Sequence, residues 1–71
     1  MTLGDGHKLF REGLNQFFQN SEIDFYFKAV LKDRLYIDPI QLGIEPNLKL
    51  TLKEEIAIKE SLLKLISRKP L

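Results

Sequence analysis

The sequence predicts an α+β fold: helix, strand, strand, short strand, helix. Two amphipathic helices pack on one face of a small antiparallel sheet. Three observations carry this. The apolar spacing is helical at both ends of the chain, it switches to strict alternation over residues 23–31, and 71 residues leave room for one domain. The alternative is an all-α protein of three helices, with residues 22–37 as the middle one.

Residues 5–19 form the first predicted helix. Leu9, Phe10, Gly13, Leu14, Phe17 and Phe18 fill one side of a helical wheel; Lys8, Arg11, Glu12, Asn15, Gln16 and Gln19 fill the other. Asp5 is placed to cap the amino end, and residues 1–4 read as a flexible lead. Gly13 sits within the apolar arc, where a helix loses about 1 kcal/mol relative to Ala. Close approach of another backbone is the expected compensation.

Over residues 22–38 the period changes. Ile23, Phe25, Phe27, Ala29 and Leu31 alternate with Asp24, Tyr26, Lys28, Val30 and Lys32. Leu35–Asp38 looks like a returning strand, joined through the loop Lys32-Asp33-Arg34. That register keeps Leu31, Leu35, Ala29 and Ile37 on the inner face. The loop lacks Gly at its third position, where a left-handed residue is usual. Residues 39–46, bracketed by Pro39 and Pro46, read as an edge segment or a pinned loop. Leu48 and Leu50 suit a short third strand. Thr51 and Glu54 then have capping-box spacing, opening a last helix that runs to about Ser67. Its expected apolar arc is Leu52, Ile56, Leu63 and Ile66, widened by Ile58, Leu62 and Leu65. Pro70 stops it, with residues 69–71 frayed.

The element order is similar to that of double-stranded-RNA-binding domains in topology and length. Those domains begin their final helix with a Gly- and Lys-rich phosphate-binding stretch. Here Asn47–Glu55 has no Gly and carries Glu54 and Glu55. The departure falls on the binding element, so no function is carried over.

Composition narrows the chemistry. The net charge is +1, mildly acidic over 22–46 and basic over 47–71, which gives no bulk attraction to polyanions. There are no cysteines, hence no disulfide framework and no thiolate zinc site, and a cytoplasmic setting is the simplest fit. No apolar run reaches the roughly 20 residues of a membrane span, and the first 20 residues lack the separate basic and apolar regions of a secretory signal. No cofactor or metal site is expected: the sole histidine, His7, reads as an exposed helix-terminal residue, and the carboxylates do not cluster. An enzyme is not expected.

The outer sheet face is the candidate site. Tyr26, Lys28, Val30 and Lys32 on the first strand, Arg34 in the loop and Tyr36 on the second would form an apolar patch with basic neighbours. Such a patch suits a protein contact, in which Tyr is enriched. The leading expectation is therefore a non-catalytic protein-interaction or self-associating module, with a protein partner or a homo-oligomer. The alternative is a nucleic-acid-binding regulator whose tyrosines stack bases, assisted by Lys64, Arg68 and Lys69.

Overall fold

The computed structural model describes residues 1–68, and over them the chain is all-helical. Helix α1 spans Leu3–Leu14, α2 Asn20–Val30, α3 Gln41–Ile44 and α4 Leu52–Ser67; α2 continues into a π-helical turn over Leu31–Leu35. The expected α+β architecture is thus incorrect: no sheet exists among the described residues, and the extended backbone pairing there is one isolated antiparallel bridge, Thr2 to Lys49. The class is that of the all-helical alternative, with four helices rather than three. The expected fraying of residues 69–71 lies outside the described residues.

The alternation over 23–31 misleads for a definable reason. A set of residues spaced every two contains a set spaced every four, and a helix places residues four apart on one face. Ile23, Phe27 and Leu31 are fully buried, whereas Phe25 from the same apparent row is 69 % exposed. Local signals agree with the helix. Gln19 and Glu22 form a capping box across its first turn, and no Gly or Pro interrupts residues 14–38. The Gly missing from the supposed hairpin loop is missing because there is no hairpin. In an α-helix a row spaced by four drifts about 40° per step. The wider turn at Leu31–Leu35 counters that drift and returns Leu35 to the core, 8 % exposed. Tyr36 then ends the helix in the left-handed region at φ 56°, and the Leu31 carbonyl accepts from the N–H groups of Tyr36 and Ile37.

Helix α1 starts and stops earlier than its periodicity suggests. Its cap is Thr2, with Asp5 as the reciprocal partner in a capping box rather than as the cap itself. Residues 1–4, expected to be loose, are tied down. Leu3 N–H donates to the Leu48 carbonyl at 2.8 Å, Gly4 N–H to the Pro46 carbonyl at 2.8 Å, and Leu50 N–H to the Met1 carbonyl at 2.9 Å. Leu3 itself is fully buried. The predicted third strand over 47–51 is the other side of these bonds. The proline-bracketed segment is neither edge strand nor open loop: Asp38 accepts from the Ile40 N–H, and the chain makes the single turn of α3.

In the core, α1 lies against both α2 and α4, and the π-helical turn packs back onto α4. Phe10 and Phe27 meet edge-to-face, with centroids 5.0 Å apart. Gly13 is compensated by a side chain, not by the backbone expected from sequence: a Cβ there would stand 3.0 Å from a Leu62 methyl. Gly6, one heptad earlier, meets Ile58 in the same way. Helix α4 follows its predicted span, and Thr51 and Glu54 do form the capping box. Its buried side, however, is Ile58, Ser61 and Leu62. No helix of the described residues is long and apolar enough to cross a membrane.

Candidate functional site

Loss of the sheet redistributes the six candidate residues. On a helix, even positions divide into two rows. Tyr26, Val30 and Arg34 form one, at intervals of four; Lys28, Lys32 and Tyr36 form the other, about 200° away. The first row lines a groove of about 220 Å³ together with Ala29 and Asp33, closed on the far side by Ser61, Lys64 and Leu65 of α4. The floor is apolar, and Arg34, Asp33 and Lys64 supply charges of both signs. Tyr26 is held by an edge contact with Phe18, centroids 5.4 Å apart. In the second row, Lys32 and Tyr36 border a shallow cleft with Ile37, Asp38 and Pro39. Lys28 lies apart from them, in a cleft that also holds His7 and Asp24. The aromatic platform imagined for single-stranded nucleic acid needed Tyr26 and Tyr36 side by side on one sheet, and these residues line different clefts.

His7 is not the exposed terminal residue that the sequence suggested. Its side chain is 20 % exposed, its ring stacks on Phe27 at 5.2 Å, and its Nε2 lies 2.6 Å from Asp24 Oδ1. Arg11 approaches the same carboxylate in bidentate fashion, Nε to Oδ1 at 3.3 Å and Nη2 to Oδ2 at 3.2 Å. The hydrogen bond from His7, and after it that from Arg11, holds the Asp24 carboxyl below its usual range against a smaller opposing effect of burial. This cluster joins α1 to α2. A His–carboxylate pair also resembles part of an acid–base relay, but no residue lining its cleft carries a hydroxyl or thiol for it to activate. Among the described residues no group of three or more His, Cys, Asp or Glu side chains could hold a metal ion. The pairing was hidden from sequence because its members are 17 residues apart.

Helix α4 exposes three large apolar side chains. Of the arc expected to face the core, Leu52, Ile56 and Leu63 face outward, with exposures of 72 %, 47 % and 64 %, while Ile66 is partly buried against the core. The residues expected merely to widen it face inward. About 120° of helix rotation separates Ile58, at the centre of the buried stripe, from Leu52. A helix docked on a core usually has one apolar stripe; α4 has two.

Comparison with protein-family models, with curated proteins and with solved structures finds no match to this chain.

Proposed function

We propose that the protein is a non-catalytic interaction module that binds another polypeptide through the outward stripe of α4, in a cytoplasmic setting. The observation that carries this reading is the exposure of Leu52, Ile56 and Leu63 in line along one helix. Aliphatic side chains scattered singly over a surface need no explanation, whereas aligned ones form the kind of patch that marks a contact. The chain's size supports the same reading. A core this small holds on the order of 3–5 kcal/mol, and proteins below about 80 residues often gain the rest by association. The stripe, rather than the groove beside Tyr26, is the contact proposed, because its three large aliphatic side chains are exposed along one line.

Leu52→Ser combined with Leu63→Ser tests this. Tagged protein carrying both substitutions should keep its helicity and, at concentrations where the unsubstituted protein is monomeric, its melting temperature, but lose the chains that the unsubstituted protein captures, copies of itself included. Arg34→Ala, in the groove, is the control and should capture normally. Unchanged capture by the double variant would refute the role, as would its unfolding.

A further inference from the structure

The outward residues of α4 are spaced like a dimer seam. Leu52, Ile56, Lys59 and Leu63 are exposed and follow at intervals of four, three and four, the alternation that keeps one line of side chains facing a partner helix. Lys59 is the single charged member, and its aliphatic stem can lie along the seam while its ammonium reaches water. The residues beside the line are Lys53 and Glu60 on one flank and Glu55 and Leu62 on the other. Lys53 and Glu60 are exposed, and neither takes part in an ion pair among the described residues.

We infer that a second copy of this chain covers the stripe, α4 against α4 in antiparallel orientation, with Lys53 of each copy beside Glu60 of the other. The inference rests on the interaction role proposed above and names its partner.

Charge selects the arrangement. Parallel helices would set Lys59 against Lys59 at the centre of the seam and Glu55 of each copy beside Glu60 of the other. Antiparallel helices with Leu52 opposite Leu63 instead place Ile56 opposite Lys59, separate the two lysines, and match Lys53 with Glu60 twice by symmetry. The other antiparallel register, with Lys59 opposite Leu63, brings Glu60 onto Glu60 at the two-fold axis. A closed two-fold pair of this kind is the commonest form of self-association. The contact is small, since a 16-residue helix is about 24 Å long. Its area falls at the low end of specific interfaces, below roughly 1,200 Å² in total. The expected dimer is therefore weak and reversible, half-dissociated on the order of 10–100 μM.

Sedimentation equilibrium on the full chain at low salt, from about 5 to 500 μM, reads this directly. The unsubstituted protein should fit a monomer–dimer equilibrium. Lys53→Glu and Glu60→Lys should each weaken it roughly five- to tenfold, because both symmetric pairs change from attraction to repulsion. The double variant K53E/E60K should recover the original affinity within about twofold, a rescue that a general loss of fold cannot produce. Orientation is read by cross-linking, since the natural chain has no cysteine. A mixture of Lys53→Cys and Glu60→Cys proteins should form the mixed disulfide in preference to either homodimer.

A monomer throughout the concentration range overturns the inference. So does failure of the double variant to recover, and so does a mixture in which the Lys53→Cys protein cross-links preferentially to itself. The broader role fails separately. If the protein is a monomer, yet capture of a different chain still depends on Leu52 and Leu63, the second copy is excluded as partner while the interaction role stands.

Discussion

Phe25 and Phe27 test the fold most sharply, because a strand makes them equivalent and a helix makes them opposites. Phe27 is fully buried, and its ring lies between Phe10 at 5.0 Å and His7 at 5.2 Å. Truncating a buried Phe to Ala costs about 3–5 kcal/mol, the upper part applying where the surroundings cannot close on the void. Here they cannot close easily. The facing position on α1 is Gly6, which has no side chain to move in, and the backbone of α1 is held by its bonds to Pro46 and Leu48. A core of this size holds on the order of 3–5 kcal/mol in a 71-residue chain, so Phe27→Ala should remove much or all of it. Phe25 is 69 % exposed, with a ring contact to Tyr26 at 5.9 Å. Phe25→Ala should cost no more than about 0.5 kcal/mol. Urea titrations followed by circular dichroism at 222 nm measure both. Similar losses at the two positions would refute the helical assignment of α2 and restore a strand with one buried row.

Three further outcomes follow from particular side chains. Asp24 has its folded pKa depressed below the ordinary 3.8, so its contribution is present above about pH 4 and is lost as pH falls through the folded value. Urea midpoints should therefore drop below pH 4 more steeply for the natural protein than for Asp24→Asn, which should also cost about 1 kcal/mol at neutral pH; parallel pH curves would mean that the His7–Asp24–Arg11 cluster contributes nothing. Tyr36→Gly should stabilise by about 0.5–1 kcal/mol, a rise of several degrees in Tm, because Gly suits the left-handed residue that ends a helix and the 88 % exposed ring gives up little packing. Gly43→Ala, within α3 and with nothing inside 4 Å of the new methyl, should stabilise by about 0.5–1 kcal/mol, and a fall in Tm would show that α3 is not helical in solution.

What could be read from the sequence followed the uniqueness of each signal. The last helix was legible in extent because Thr51 and Glu54 permit one start. The first was legible in kind, since Phe10 and Leu14 belong to a helical stripe under any assignment, but the Thr2–Asp5 box lay before the stripe began. Residues 23–35 were not legible by period. Ile23, Phe27, Leu31 and Leu35 satisfy the strand row and the helix row equally, and the decision lay with residues that the pattern overlooks: Gln19 and Glu22 at the start, and the absence of Gly in Lys32-Asp33-Arg34. The six candidate site residues shared the fate of that choice, three of them falling into the groove against α4 and three elsewhere. Leu52, Ile56 and Leu63 on α4 were visible as part of an apolar arc and were assigned to the buried side of the helix, whereas they are exposed.

That misassignment bears on function. Both stripes of α4 are apolar enough to bury, and helical periodicity ranks Leu52, Ile56, Leu63 and Ile66 at least as high as Ile58, Leu62 and Leu65. What decides between them is the partner surface. Gly6 and Gly13 on α1 leave depressions one heptad apart, and Ile58 and Leu62, four residues apart on α4, fill them at contact distance. A branched side chain must enter each depression for the two helices to approach, so the glycines select the stripe that turns inward. Leu52 and Leu63 are then left outward, where the monomer gains little from them. Replacing both with Ser should cost the fold little, while any stability that rises with protein concentration should disappear with them. A stripe that the monomer leaves open and a second copy can complement in charge is what the proposed association would cover.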